Sequence, residues 1–163
     1  MEYHYVRNLH DVQILIPRSV RRIPERAFCV YRWLQCVIFE PCSSVVHIEG
    51  YAFRDCDLCA VCIPNSVRTL EDHVFWRCSN LQSVTFEPQS QVSCIEQYTF
   101  ADCSRLQAID IPDSVIAVKE YAFDNCTSLK YVTIASRPTM KQAFTKCSPQ
   151  LRIFYLPAVR QHS

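Results

Sequence analysis

Phenylalanine recurs along the chain at an almost constant spacing. Successive members lie 21 to 25 residues apart, and the set consists of Phe28, Phe53, Phe75, Phe100, Phe123 and Phe144. In five of these repeats a valine lies eight residues before the phenylalanine, and an aliphatic residue follows that valine at the third place. Self-similarity at a period of about 20 to 50 residues is typical of a solenoid, in which each repeat forms one coil.

A second pattern predicts one strand in every repeat. Apolar residues occupy the first, fourth and sixth places of a short segment, as Leu106, Ile109 and Ile111 illustrate. The last three places alternate, as the two-residue period of a β-strand requires. Proline follows in most repeats and ends the strand, because it has no backbone N–H to donate. The Ser-Val-x-x-Ile segment then predicts a second extended side, and Ala-Phe-x-x-Cys predicts a tight turn.

A single coil of this length is too short to bury its own apolar residues, whereas stacked coils share one core. We therefore predict a parallel sheet, a column of phenylalanines and one domain over residues 1–163. Its parts are an N-terminal arm and part-coil (1–11), about six coils (12–147), and a C-terminal part-coil and tail (148–163). Asn8 to Ile16 and Leu151 to Pro157 carry the same strand pattern into both ends. Such part-coils are compatible with membership of a longer repeat array.

The segment Leu106 to Cys126 resembles, nearly letter for letter, the frame of the BspA-like, or Treponema-type, leucine-rich repeat. The resemblance implies a leucine-rich-repeat solenoid, nominally of the α/β class but dominated by β-structure. A parallel sheet is expected on its concave side, with short turns or 3-10 segments elsewhere. The resemblance also implies a surface or secreted protein that adheres to host proteins or other cells.

Two features depart from the family frame. Glutamate replaces a frequent glycine at Glu49, Glu71 and Glu96, and Gly50 is the only glycine in the chain. The last complete coil has Ser136 to Met140 in place of Ser-Val-x-x-Ile. This last coil is therefore interpreted as a degenerate cap.

Charge argues against two classes of partner. The chain has 17 basic and 16 acidic residues, a formal net charge of +1, and no run of one sign that could follow phosphates. We expect no nucleic-acid partner. Direct membrane insertion is not expected either, because no segment approaches the roughly 18 apolar residues of a spanning helix.

Met1 to Leu15 does not resemble a signal peptide. Localisation stays open: the family resemblance favours the cell surface, and the missing signal favours the cytoplasm.

Eleven cysteines are a high number for 163 residues. Five follow a phenylalanine at the third place: Cys56, Cys78, Cys103, Cys126 and Cys147. We interpret these ladder cysteines as small buried groups that donate to a nearby carbonyl, with a ladder of disulfides as the alternative. The spacing of Cys56, Cys59 and Cys62 suggests a metal site only weakly, because the frame predicts that they point in different directions. No cofactor is expected.

Other candidate chemistry is sparse. The histidines are scattered over different coil positions, so a cysteine–histidine pair is not expected and the chain is predicted not to be an enzyme. Glu49, Glu71 and Glu96 recur at one frame position, which indicates a solvated edge. An aromatic column, Tyr51, His73, Tyr98 and Tyr121, is either a contact surface or a cap on the core. The sequon Asn125-Cys126-Thr127 contains a ladder cysteine and is interpreted as accidental.

The outward strand positions are the predicted binding site, because packing does not dictate their identity. Strand alternation places twelve residues there: Gln13, Leu15, Cys36, Ile38, Ala60, Cys62, Ser83, Thr85, Ala108, Asp110, Tyr131 and Thr133. Leu15, Ile38 and Cys62 would form an apolar patch. We expect a protein partner, or a neighbouring segment of a longer chain, to cover it; the alternative cover is the N-terminal arm Met1 to Val6.

The sequence thus predicts a non-enzymatic protein-binding module, by resemblance of a surface-antigen or adhesion type. An intracellular scaffold is the alternative, since reduced cysteines and a missing signal peptide fit a reducing compartment.

Overall fold

A computed structural model describes residues 12–156, which form two parallel β-sheets. Seven four-residue strands build the long sheet in the order β1 (Gln13–Ile16), β3 (Cys36–Phe39), β5 (Ala60–Ile63), β7 (Ser83–Phe86), β9 (Ala108–Ile111), β11 (Tyr131–Ile134) and β12 (Arg152–Tyr155). Five two-residue strands build the short sheet: β2 (Arg22–Ile23), β4 (His47–Ile48), β6 (Thr69–Leu70), β8 (Cys94–Ile95) and β10 (Ala117–Val118).

Each of the first five coils contributes a strand to both sheets. The chain alternates between a long-sheet strand and a short-sheet strand from β1 to β11, and every strand pair is parallel. The predicted leucine-rich-repeat solenoid of about six turns is confirmed, as is the second extended side. Within residues 12–156 no helix is present, so the architecture consists of strands and turns.

The third side of each coil is a hydrogen-bonded turn. Fourteen residues other than glycine have positive φ within residues 12–156, and most lie two places before or after a core phenylalanine, such as Tyr98 and Asp102 around Phe100. This left-handed conformation costs about 1–2 kcal/mol for a residue with a Cβ atom. Hydrogen bonds between coils offset the cost: the backbone N–H of Phe100 donates to the Ala122 carbonyl at 2.9 Å.

The phenylalanines form the predicted column. Neighbouring rings are stacked with centroids 5.1 to 5.5 Å apart. Phe53, Phe75, Phe100 and Phe123 are fully buried. Because each ring packs on its equivalents in both neighbouring coils, the core is continuous along the stack.

The last strand differs from the frame. If Leu151 took the first place of the strand pattern, Phe154 and Leu156 would face the core. The structure instead pairs Ile153 with Val132 and places Phe154 beside the outward-facing Thr133. Cys147 and Leu151 are four residues apart, whereas the preceding coil has three between equivalent positions. Ile153 nevertheless follows Cys147 at the sixth place, as Val132 follows Cys126, so β12 keeps the register counted from the cysteine and the added residue moves Leu151 out of the frame.

Candidate functional site

The outward face of the long sheet gathers all twelve predicted site residues. Strand register arranges them in two rows, in which Gln13 is paired with Cys36 and Leu15 with Ile38. The first row consists of Gln13, Cys36, Ala60, Ser83, Ala108 and Tyr131, and the second of Leu15, Ile38, Cys62, Thr85, Asp110 and Thr133. Cys36 and Thr133 are half-buried, and the other ten side chains are exposed. The alternation therefore located the face correctly, while its role in binding stays a prediction.

The polar side chains of this face are available to a partner. Gln13, Ser83, Thr85 and Asp110 are exposed, and within residues 12–156 none of them makes a side-chain hydrogen bond or ion pair. Their hydrogen-bonding capacity is satisfied by water in the isolated chain. A partner with complementary groups could replace that water without breaking an internal bond.

Apolar side chains lie at both ends of the face. Leu15 and Ile38 are 40% and 41% exposed on neighbouring strands. At the other end Tyr131 is 51% and Phe154 47% exposed, with ring centroids 6.4 Å apart. Phe154 was missed because the strand pattern was counted from Leu151, whereas Ile153, six places after Cys147, takes the core-facing place. That count from Cys147, which the preceding coil also shows, is the sequence signal that could have revealed it.

A groove of about 490 Å³ lies where strands β7, β9 and β11 end. Thr85, Asp110 and Thr133 of the second row line it, together with Asp113 and Leu156. Asp110 and Asp113 are exposed. The groove thus combines carboxylates with an apolar wall, a surface suited to a long side chain of a protein partner.

The ladder cysteines behave as predicted. Each Sγ donates to the carbonyl of the phenylalanine one coil earlier, at 3.1 to 3.4 Å. Burial raises the pKa of the Cys78, Cys103 and Cys126 thiols well above 9.0 and the pKa of Cys56 to about 12. A thiol that keeps its proton is a poor nucleophile, so this column serves packing and hydrogen bonding. All eleven cysteines are free thiols.

A sequence model of the BspA type leucine-rich repeat region, with six copies, matches residues 3–130 and 85–161. The chain belongs to this family. Among solved structures, the chain is similar to the pneumococcal vaccine antigen PcpA, with 27% identity, a TM-score of 0.72, and coverage of 76% of this chain and 30% of PcpA. No protein with a curated description matches the chain.

A second solved structure supports the fold alone. A leucine-rich cell surface protein of Faecalibacterium prausnitzii A2-165 shares 19% identity and a TM-score of 0.52, with coverage of 90% of this chain and 60% of that protein. The chain spans less than two thirds of either structure's own length. In its described part, residues 12–156, there is no helix long and apolar enough to cross a membrane.

Two of the three glutamates that replace the family glycine, Glu49 and Glu71, cap the backbone of the preceding coil. Glu49 Oε2 accepts the N–H of Glu25 at 2.9 Å, and its Oε1 accepts the Arg22 guanidinium. Glu71 accepts the N–H of Gly50 at 2.9 Å. The prediction of a solvated edge is therefore wrong for Glu49 and Glu71: both are half-buried. Glu49 and Glu71 occupy the same frame position because a backbone N–H recurs in the coil before each of them. The glutamate side chain accepts the hydrogen bond of that N–H.

The aromatic column of the BspA-type turns consists of stacked rings. His73 lies between Tyr51 and Tyr98, with ring centroids at 4.6 and 4.8 Å. All four members are half-buried, and their faces contact one another. This arrangement favours the core cap among the two interpretations, since a stacked ring offers a partner only its edge.

Trp76 extends the aromatic column laterally. The Arg54 guanidinium lies 4.6 Å from its ring centre, and its Nε1 donates to Asp102 at 3.0 Å. His73 contacts the same indole edge to face, with centroids 5.1 Å apart. These contacts tie three successive coils together on the turn side.

The cysteine triplet and the sequon are the remaining candidate sites. Cys56 is buried while Cys59 and Cys62 are exposed. Within residues 12–156 no three histidine, cysteine, aspartate or glutamate side chains are grouped so that they could hold a metal ion. Asn125 of the sequon is half-buried, and its Nδ2 donates to Asp102 at 2.7 Å. Because this hydrogen bond holds the side-chain amide of Asn125, the residue is poorly placed for N-glycosylation.

Proposed function

We propose that the chain is a non-enzymatic binding module that recognises a protein partner through the outward, concave face of the long sheet. The observation that carries the proposal is the face itself, which consists of two rows of side chains. Its polar members have no side-chain hydrogen bond to any residue between 12 and 156, and its ends expose Leu15, Ile38, Tyr131 and Phe154. Large apolar groups exposed in this way are typical of interaction sites.

A surface-antigen or adhesion role is the specific form we propose. Support comes from membership of the BspA-type family and from the likeness to PcpA, a protein described as a pneumococcal vaccine antigen. The near-neutral charge and the mixed apolar and polar face fit a protein surface better than an anionic one.

The alternative is an intracellular scaffold that binds proteins through the same face. It is favoured by the eleven free thiols, because unpaired cysteines persist in reducing compartments. Protease shaving of intact source cells separates the two forms. Loss of the protein under shaving supports the surface role, and survival supports the scaffold.

The face is tested with the double variant Leu15→Glu, Ile38→Glu. Wild type and variant are used to capture proteins from extracts of the environment in which the source organism lives, and the captured partners are identified by mass spectrometry. We expect at least about a tenfold loss of captured partner, as for the central residues of an interface. Ile116→Glu is the matched control, because Ile116 is 72% exposed and lies beside the short sheet. Equal capture by wild type and double variant, with both folded by circular dichroism, would refute the assignment of the face.

A further inference from the structure

Three coils share one turn directly after their long-sheet strand. The turn follows β1, β5 and β9, and in each case a valine N–H donates to the carbonyl of the proline three places earlier, at 3.0 to 3.2 Å. The residue after that proline is Arg18 in the first turn, Asn65 in the second and Asp113 in the third. These three residues therefore occupy equivalent places, and their backbone N–H groups can be compared directly.

A glutamate of the following coil caps two of these turns. Glu40 Oε2 accepts the N–H of Arg18 at 2.9 Å, and Glu87 Oε2 accepts the N–H of Asn65 at 3.0 Å. Each glutamate comes directly after a long-sheet strand. Because the bond forms in both places, the turn presents an N–H that an acceptor beside it can reach.

The third turn lacks this cap. Ala135 takes the place of the glutamate, since its N–H donates to the carbonyl of Ile111 as the N–H of Glu87 donates to that of Ile63. A methyl group accepts no hydrogen bond, and the N–H of Asp113 has no acceptor within residues 12–156. One turn therefore leaves open a donor that its two equivalents bind.

The missing side chain coincides with the groove at the ends of β7, β9 and β11. Both Ala135 and Asp113 line this groove of about 490 Å³, and its walls include the apolar residues Pro88, Pro112 and Leu156. A ligand group placed in the groove therefore meets apolar surface and the open N–H together.

The charge of the groove indicates which ligand it suits. Asp110 and Asp113 are exposed, and neither carboxylate makes a hydrogen bond or an ion pair within residues 12–156. Glu87 also lines the groove, whereas no lysine, arginine or histidine does. An acidic ligand would thus be repelled by several carboxylates, and a cation would be attracted by them.

We propose that this groove binds an exposed arginine of the protein partner. The guanidinium pairs with Asp110 and Asp113, the aliphatic part of the side chain packs on Pro88 and Leu156, and a backbone carbonyl beside it accepts the N–H of Asp113. Arginine suits the groove better than lysine, because its planar group presents several donors and stacks on apolar surface. The proposal rests on the proposed function, since Asp110 and Thr133 belong to both the groove and the outward face.

Two other occupants satisfy less of the groove. A glutamate of the partner could accept the N–H of Asp113 in the way that Glu87 caps Asn65, but its charge would lie beside Asp110. An aliphatic side chain would pack on the apolar walls and leave the carboxylates and the N–H unused. The test distinguishes both from arginine.

The test uses the full chain and three capped amino acids. The probes are the acetyl N-methylamides of arginine, of citrulline, which replaces the guanidinium with a neutral urea of similar shape, and of glutamate. Binding is followed by NMR through the amide signals of Asp113 and Ala135. We expect the arginine probe to shift both signals and the citrulline probe to bind at least about fivefold more weakly. The glutamate probe is expected to cause no shift.

Three variants of the chain locate the bound probe. Asp113→Asn keeps the shape of the groove and removes one charge, so we expect at least about fivefold weaker binding of the arginine probe. Ala135→Gln fills the groove with a neutral side chain and should weaken binding to a similar degree. Glu120→Gln is the matched control, because it removes a carboxylate that does not line the groove. The NMR spectrum also shows whether each variant is folded.

Four results would overturn the proposal. The first is no shift up to the solubility limit of the arginine probe, and the second is equal binding of the arginine and citrulline probes. The third is tighter binding of the glutamate probe, which would make a carboxylate the ligand. The fourth concerns Arg160, which lies outside the described residues. If Arg160→Ala shifts the Asp113 signal without any probe and raises the affinity of the arginine probe, the occupant is the chain's own segment.

Failure of this proposal differs from failure of the proposed function. Probe binding requires no partner, so a groove that ignores arginine leaves the outward face untouched as a binding surface. Equal capture by wild type and the Leu15→Glu, Ile38→Glu variant would refute the face, while selective arginine binding would still support the groove.

Discussion

At the scale of single residues, the repeat places a short side chain with a hydrogen-bond donor at the corners of each coil. Ser66 donates to the Val45 carbonyl at 2.8 Å and Ser114 to that of Val92 at 2.8 Å. Carbonyls at a corner lie outside the strand ladders and need a partner once they are buried. Serine and cysteine fill these places because each combines a short side chain with one donor.

The buried thiols predict how stability depends on pH. Because burial raises the pKa of Cys103 well above 9.0, the unfolded chain loses this proton at a pH where the folded chain keeps it. The stabilisation is complete below about pH 9 and is lost as the pH rises towards the folded pKa. Cys103→Ser removes the titrating group and keeps a donor. We therefore expect its free energy of unfolding to fall less steeply above pH 9, by about 1.4 kcal/mol per pH unit.

Urea denaturation of wild type and Cys103→Ser at a series of pH values from 7 to 11 measures this difference. The value at pH 7 gives the constant cost of the substitution, and only the divergence above pH 9 reports the thiol. Parallel curves over the whole range would contradict the prediction.

The residue-level frame could be predicted from sequence where one requirement recurs. Phe100 and Cys103 repeat with fixed spacing because each must meet its equivalent in the next coil. The capping role of Glu49 and Glu71 could not be predicted in this way. A surface carboxylate and a carboxylate bonded to a backbone N–H have the same sequence pattern, and only the position of the preceding coil separates them.

At the scale of elements, register is the property that sequence specified least at the C-terminal end. The two-residue period located strands β1 to β11, since an apolar residue must face the core at every second place. For β12 the pattern counted from Leu151 gave the wrong face. A pattern that contains Ile153, Phe154 and Leu156 accommodates both faces. The spacing from cysteine to leucine does not choose between them by itself, because Cys56 and Leu58 are two residues apart and β5 still buries Val61 and Ile63.

Deleting Gln150 is expected to restore the frame of the other coils. The spacing from Cys147 to Leu151 would become three residues, which turns Phe154 and Leu156 towards the core and Ile153 outward. A Phe154→Cys reporter measures the change. Its alkylation, resolved by mass spectrometry, should be at least about tenfold slower in the deletion variant than in the chain of full length.

Tyr131→Cys on β11 is the reference, because that strand keeps its register in both backgrounds and position 131 faces outward. Equal labelling of position 154 with and without Gln150 would show that the turn does not set the register of β12.

At the scale of the whole molecule, stability depends on position along the stack. Each coil contacts only its neighbours, so a core substitution removes two interfaces in a middle coil and one in a terminal coil. Phe100→Ala is expected to cost about 3–5 kcal/mol, as for other buried phenylalanines, and Phe144→Ala about half as much. Chemical denaturation followed by circular dichroism measures both. Equal costs would argue against a stack with nearest-neighbour energetics.

The architecture could be predicted from sequence more completely than the function. Repetition determines the solenoid, and the outward rows follow from strand alternation once the strands are placed. The partner could not be identified, because residues such as Ser83, Thr85 and Asp110 are free of the packing constraints that make core positions readable. The division into an arm, coils and tail stays a prediction.

The contacts of Trp76 also decide what optical spectroscopy can observe. The chain has two tryptophans, Trp33 in the first coil and Trp76 in the third. Indole emission therefore reports on the N-terminal half of the stack and is silent for the coils around Phe123 and Phe144. If the C-terminal coils unfold before the others, the tryptophan emission does not change. A thermal melt followed by fluorescence would then miss the unfolding of half of the stack.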